Sequence, residues 1–407
     1  MKDRALRGLA ECQRIAAMTE EPGRITRRFL TPPTRDVHAH LSARMESLGM
    51  IVHVDAAGNL HGLSHPQGAS EKRLILGSHI DTVPDAGAFD GVLGVVLAIE
   101  CVDLVRQNGL PLALEVIAFS EEEGVRFGVP FLGSRAVAGR FDSALFELKD
   151  AEGVTLEGAI RAYGLDPARI AESALDEDTL GFVEIHIEQG PVLEAEHLSV
   201  AAVTGIVGQT RLTLEFAGQA NHAGTTPMNL RRDALAGAAE WIAAVEKLAR
   251  RTEGLVATVG KIEASPNATN VVAGIALMTL DARHPHDAVR LGAVNELIEM
   301  ANSIAERRGL AMQSTRQMDQ PAVSMDERLT AYVVEAIEAA GFPPKRMHSG
   351  AGHDAMVVAS RMPTAMLFLR SPGGISHNPA EAVRTEDVEA ALEVMSVFLQ
   401  RVAGEVR

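Results

Sequence analysis

Cysteine is nearly absent from the chain, with only Cys12 and Cys101 among 407 residues. That count excludes a disulfide framework and a cysteine-based zinc site. A chain of this length buries large cores without covalent staples. Basic charge is also short: 38 Lys and Arg stand against 54 Asp and Glu, a formal net charge of −16. This balance argues against nucleic acid or an anionic membrane surface as a partner. The pairs Arg27-Arg28, Arg231-Arg232 and Arg250-Arg251 read as solvated faces. No apolar run approaches the roughly 20 residues of a membrane span. Charges interrupt residues 1–14 and no apolar signal-peptide segment follows, so a cytoplasmic protein is expected. Internal repeats and low-complexity stretches are missing, and so are the H-E-x-x-H, G-x-S-x-G and G-x-x-x-x-G-K-[ST] motifs. Histidine, by contrast, is present 14 times. Any transition-metal site must therefore be built from His, Asp and Glu.

The hydrophobic pattern divides the chain. Helical periodicity at 1–18 and 34–49 precedes short strand-like runs at 51–54, 60–63 and 73–79. A helix at 91–105 and strands at 112–120 and 182–187 continue an α/β alternation. Near residue 207 the style changes. The segment 209–218 alternates like a half-exposed strand, followed by a helix (230–252), strands (254–263 and 270–282), a helix (286–308) and a strand (310–318). Strand–helix–strand–strand–helix–strand is the ferredoxin-like split pattern. The α/β style returns with a helix at 325–340, a strand at 363–370 and a helix at 386–402. The expected architecture is α/β: a discontinuous mixed-sheet domain (1–207 and 320–407) interrupted by an α+β domain (208–319).

Four segments carry chemistry. In GSHIDTVPDAGAFDG (77–91), His79 ends an apolar strand, Asp81 follows two residues on, and Asp90 precedes a helix. Sites in open α/β sheets form at the carboxyl ends of strands, where these residues fall. A carboxylate beside a ligand His fixes its tautomer, which gives Asp81 a supporting role. In FSEEEGVRF (119–127), three consecutive carboxylates repel unless a cation compensates. HIEQGPVLE (186–194) places His186 at a strand end with Gln189 after it; taken alone, a His there is more often a satisfied core histidine than a ligand. In GGISHNPAE (373–381), paired glycines allow close backbone approach and His377 follows. Together these segments suit two divalent ions bridged by a carboxylate.

These residues resemble the dinuclear metal amidohydrolases of the aminoacylase and carboxypeptidase superfamily. Nearly the whole chain shares the resemblance, and HIEQGP, NHAGTTP (221–227) and SGAGHDA (349–355) resemble its ureido-hydrolysing branch. The resemblance implies metallopeptidase-like catalytic and lid domains, the lid also serving dimerisation. It implies His79, Asp90, Glu123, His186 and His377 as metal ligands, Asp90 bridging, with two zinc or manganese ions (cobalt also fits) per subunit. Glu122 then resembles the general base; Glu121 with Glu122 is the other register of the triple Glu. Asp81 joins the catalytic set. The inserted domain is expected to supply His222, Asn270 and Arg283 to the substrate, with Gln189 and the Gly352 backbone completing the pocket. His353 is a candidate support for the metal ligands. A homodimer is implied, because in the family the residue matching His222 reaches the partner's site. EPGRITRRFL and RSPGGISHNPAE look most like allantoate amidohydrolases. N-carbamoyl-L-amino-acid hydrolases stand next, with ureidoglycolate amidohydrolases and β-ureidopropionases behind. A catalytically silent binding protein on this fold should have lost a ligand, and all five are present.

Overall fold

The computed structural model describes residues 1–176 and 179–405. The chain forms two compact units, one of Met1–Thr204 with Ser324 onward and one of Gly205–Val323. These limits differ by a few residues from 207/208 and 319/320, because the boundary falls within strands at both crossings.

The first unit is organised by a nine-stranded mixed sheet. At its centre Ala113–Phe119, Arg73–His79, Gly181–Ile187 and Thr364–Leu369 lie side by side and parallel. Three of these strands are buried along their full length, and the fourth is buried but for the half-buried Arg73. They read as continuous apolar runs because both faces of a parallel sheet are covered. Leu60–Ser64 and Ile51–Val54 extend one side antiparallel. Val200–Ile206 pairs antiparallel with Thr364–Leu369 on the other. The sequence pattern missed this last strand, whose small residues Ala201, Ala202 and Gly205 give it little apolar contrast.

Helix Val92–Gln107 is buried on nearly every side, and Lys2–Ala16 and Thr385–Glu405 pack against it. Within it Leu97 is fully buried. Truncating such a side chain to Ala costs about 2–5 kcal/mol. The helix stops at Asn108, where Gly109 takes a left-handed φ of 60°. Arg27 corrects the expectation of a solvated basic pair: it is buried. Its guanidinium donates to the carbonyls of Ile15 (3.2 Å), Met18 (3.0 Å) and Ile80 (2.6 Å). Carbonyls at a helix C-terminus lack helical donors, and a planar guanidinium supplies several at once. Among the described residues no helix is long and apolar enough to cross a membrane.

The second unit has strand order Ala311–Gln320, Gly208–Ala217, Ile275–His284, Val256–Ser265, all antiparallel. Helices Ala234–Arg251 and Asp287–Arg308 supply Trp241, Val245, Val294 and Leu297 to a core with Leu212, Leu214, Phe216 and Met278. Trp241 Nε1 donates to the Leu297 carbonyl at 2.9 Å, which satisfies its one polar atom. Two expectations need correcting. The helix expected from 230 begins at Ala234, where the Asp233 side chain accepts the Ala236 N–H. The strand expected over 270–282 is two pieces, Val271–Val272 and Ile275–His284. The first pairs with Asn221–His222, and the chain then changes partner at Gly274, where a Cβ would meet Ala220 N at 2.9 Å.

Candidate metal centre

The four parallel strands share one carboxyl edge. His79 ends the first, and Phe119 leads the next into Ser120 and the three glutamates. His186 is the penultimate residue of the third, and the fourth leads into the loop bearing His377. Asp90 arrives from the loop after His79, just before helix Val92–Gln107. Gly91 has φ 66°, and a Cβ there would stand 2.4 Å from the His79 ring. Only glycine lets that helix begin against the imidazole.

Asp90 sits in the middle with its oxygens divided. Oδ1 lies 3.2 Å from His186 Nε2 and 3.7 Å from His79 Nε2, yet among the described residues it accepts no hydrogen bond of good geometry. Oδ2 lies 3.2 Å from His377 Nε2, which also lies 3.3 Å from Glu123 Oε1 and 3.4 Å from Gln189 Nε2. Candidate ligand atoms of His79, Asp90 and His186 fall within 4.8 Å of one another, and so do those of Asp90, Glu123 and His377. Burial opposes ionisation of Asp90, but His186, His377 and His79 outweigh it and hold the carboxyl well below the usual range.

The imidazoles are pre-set. His79 Nδ1 is 3.0 Å from the Asp81 carbonyl, and His186 Nδ1 is 2.8 Å from the Ile187 carbonyl. Each Nδ1 donates to its carbonyl, so in the neutral ring each Nε2 carries the lone pair, and the two nitrogens lie 3.5 Å apart. Two lone pairs converging with an unpartnered buried carboxylate oxygen fit a divalent cation. The Asp81 side chain has a different task from the one expected. Its carboxylate stands 3.7 Å from His79 Nδ1, and it accepts instead the backbone N–H groups of Glu122 and Glu123. The backbone carbonyl, rather than the carboxylate, orients His79.

The three glutamates diverge. Glu121 is fully buried and turned away, its Oε1 accepting the N–H groups of Arg126 (2.9 Å) and Phe127 (3.3 Å). Glu122 and Glu123 both face His79. Burial pushes Glu122 well above the usual carboxylate range, and Glu123, Asp354 and Asp81 push the same way against the opposing His79.

Gln189 Nε2 donates to Asp90 Oδ2 at 2.9 Å, and Gln189 Oε1 accepts no hydrogen bond among the described residues. Gly352 lies against Phe131, whose Cζ a Cβ would meet at 2.8 Å. His353 packs its buried ring against His186, centroids 4.4 Å apart, and its Nε2 is 2.9 Å from Ser349 Oγ. Burial and His186 hold His353 well below the usual imidazole range.

In the second unit, the short pairing of Asn221–His222 with Val271–Val272 places Asn270 beside His222, and the Asn270 carbonyl accepts the Ala223 N–H at 2.9 Å. His222 Nδ1 accepts the N–H groups of Gly224 (3.1 Å) and Thr225 (3.2 Å), which leaves the ring proton on an exposed Nε2. Arg283 is not with them. It lies near the far end of strand Ile275–His284, roughly 27 Å from Ile275 at about 3.4 Å per residue, and pairs with Asp281.

Sequence reasoning missed Glu184, which accepts from Ser78 Oγ and the Ala355 N–H, both at 2.9 Å. Its signal was its position two residues before His186, on the same strand face. Ser376 and Glu381 were missed as well; both contact Asp90.

Residues 75–401 match the family described as Peptidase family M20/M25/M40. The chain belongs to this family. It is 38% identical over 376 residues to the N-carbamoyl-L-amino acid amidohydrolase of Geobacillus stearothermophilus, covering 92% of each chain. It is 36% identical over 387 residues to the allantoate amidohydrolase of Escherichia coli, covering 94% of each. The solved structure of a hydantoinase/carbamoylase-family amidase from Burkholderia multivorans superposes with a TM-score of 0.92 at 32% identity, covering 98% of both. Family membership and the donor set together point to divalent metal.

Proposed function

We propose that the chain hydrolyses the ureido C–N bond of a small carboxylate, with allantoate as the first candidate substrate. The observation that carries this reading is Asp90, whose Oδ1 lies by His79 and His186 and whose Oδ2 lies by His377 and its neighbour Glu123, with the buried Glu122 alongside. His79, His186 and Asp90 would hold one divalent ion; His377, Glu123 and Asp90 would hold the other. Zinc, manganese and cobalt all accept these ligands. Bound there, the ions supply Lewis acidity to water and to the ureido carbonyl.

The chain's own residues supply the rest. Glu122, buried beside His79, takes the proton of the attacking water at its carboxylate and returns it to the leaving nitrogen. His222 Nε2–H donates to the carbonyl oxygen as negative charge develops there. Gln189 Oε1 accepts a substrate N–H. Arg283 receives the substrate carboxylate through paired hydrogen bonds, and Asn270, which stands beside His222, enters the pocket with it from the partner's inserted domain. One water is consumed, and ammonia, carbon dioxide and an amine-bearing acid are released. A homodimer through residues 208–319 belongs to the same proposal, with His222 serving the partner's site.

Support for allantoate is the likeness of EPGRITRRFL and RSPGGISHNPAE to allantoate amidohydrolases, together with several allantoate-hydrolysing relatives at 35–36% identity. The 38% relative favours N-carbamoyl-L-amino acids as the second reading. An ammonia-release assay with added Mn²⁺ compares allantoate, N-carbamoyl-L-amino acids, ureidoglycolate and N-carbamoyl-β-alanine. Release from allantoate is expected. Release from carbamoyl amino acids alone selects the second reading, and release from none of the four rejects ureido hydrolysis.

A further inference from the structure

Asp90 and His377 stand on two loops far apart in sequence, and neither loop is part of the sheet. Glu381 ties them together. It is buried, and its Oε1 accepts the backbone N–H groups of Phe89 (2.8 Å) and Asp90 (3.1 Å). Its Oε2 is 3.2 Å from Ser376 Oγ, and that hydroxyl lies 2.8 Å from Asp90 Oδ2. The approach is close. A Cβ on Gly87 would fall 2.3 Å from Glu381 Cβ, so only glycine at 87 admits the carboxylate under the loop. The Asn378 turn aims Glu381 inward: its carbonyl accepts the Glu381 N–H at 3.0 Å and its side chain accepts the Ala380 N–H at 2.9 Å.

We propose that Glu381 and Ser376 are positioning residues that lock the Asp90 carboxylate into its two-sided orientation and fix the His377 loop to it. The inference rests on the two-metal reading above. A carboxylate turns freely about its Cα–Cβ and Cβ–Cγ bonds unless something holds it. Glu381 holds the Asp90 backbone through its N–H. Ser376 holds Oδ2, its single hydroxyl proton going to the nearer oxygen, Asp90 Oδ2. With both ends held, Oδ1 stays on the His79 and His186 side and Oδ2 on the Glu123 and His377 side. Because Ser376 is next to His377, the same bond sets the distance between Asp90 and His377.

Calorimetric titration of the metal-free full chain with Mn²⁺ tests this, using wild type, Glu381→Gln and Ser376→Ala. Wild type is expected to take up two ions. Each variant is expected to weaken binding of at least one ion by roughly 10–100-fold, the usual effect of losing a group that orients a ligand. A merely structural role would lower the melting temperature of the metal-free protein and leave the metal dissociation constants in place. Constants within twofold of wild type in both variants overturn the inference while leaving the metal reading intact. Wild type that binds no Mn²⁺, Zn²⁺ or Co²⁺ overturns the metal reading itself. Ser376 is only partly buried, so if Glu381→Gln does not fold, Ser376→Ala decides alone.

Discussion

Asp81 grips the backbone of Glu122, accepting its N–H at 3.0 Å on Oδ1, while Oδ2 accepts the next N–H, that of Glu123, at the same distance. One buried carboxylate thus fixes the direction in which two neighbouring glutamates leave the chain. Its own backbone carbonyl meanwhile orients His79.

Asp81→Asn tests this arrangement. The Asn amide offers one acceptor oxygen and one NH₂, so one of the two N–H groups would face another donor. A buried donor left without an acceptor costs about 1–3 kcal/mol. The expected outcome is a roughly 10–100-fold loss of metal affinity or activity. Wild-type metal binding and turnover in the variant would remove Asp81 from the site.

Glu122 and Glu121 are expected to separate in their effects. Glu122→Gln should lower kcat by roughly 10²–10⁴-fold, the scale of general base catalysis, with bound metal unchanged. Glu121→Ala should act on folding instead, because it strands the Arg126 and Phe127 N–H groups. Full turnover in Glu122→Gln, measured as ammonia release, would show that the proton goes elsewhere.

How much of this was legible follows from what each residue depends on. His79, Asp90, His186 and His377 stand at or after the ends of apolar runs, and such runs mark buried parallel strands whichever way the rest of the chain folds. The direction of the three glutamates was not legible. It depends on Asp81, which meets them across 41 and 42 residues of sequence. Ser376 and Glu381 reach Asp90 across 286 and 291 residues, and nothing in SHNPAE alone reveals that contact. The break at Gly274 was hidden for a related reason. Its cause is a change of strand partner, and the apolar pattern runs across it unaltered.

A pH effect on stability is expected from His61, which is not among the candidate ligands. Its Nδ1 is 2.8 Å from Glu115 Oε1 and its Nε2 is 3.4 Å from Asp55 Oδ2. Burial lowers the imidazole pKa, but Asp55 and Glu115 outweigh it and raise it to about 9. A folded pKa above the unfolded value of about 6.5 gives stability that is complete below pH ~6.5 and lost as pH rises through about 9. The difference corresponds to about 3 kcal/mol. Urea unfolding at pH 6 and pH 10 should therefore show wild type losing more stability than His61→Gln. Equal losses in the two proteins would refute the assignment.

Arg283 is expected to hold the substrate carboxylate, and its surroundings prepare it for that. Its guanidinium meets Asp281 with two bonds, Nε to Oδ1 at 2.9 Å and Nη2 to Oδ2 at 3.0 Å. Asp281 also accepts from Arg211 Nε at 3.0 Å and Gln209 Nε2 at 2.6 Å. Burial opposes ionisation of Asp281, but its bond to Arg283 and the nearby Arg211 and Gln209 hold it below the usual carboxylate range. The guanidinium plane is therefore fixed before any substrate arrives, and a planar fork held in place recognises a carboxylate with less loss of freedom than a lysine ammonium. Arg283→Lys keeps the charge and removes the fork. Charge-assisted hydrogen bonds contribute about 1.5–3 kcal/mol, so KM for a carboxylate substrate should rise roughly 10–100-fold while kcat changes less. A neutral ureido compound should show little change in KM between the two proteins. If KM for the carboxylate substrate stays at the wild-type value with metal fully bound, Arg283 serves the Asp281 network alone and the substrate carboxylate is held by another cation.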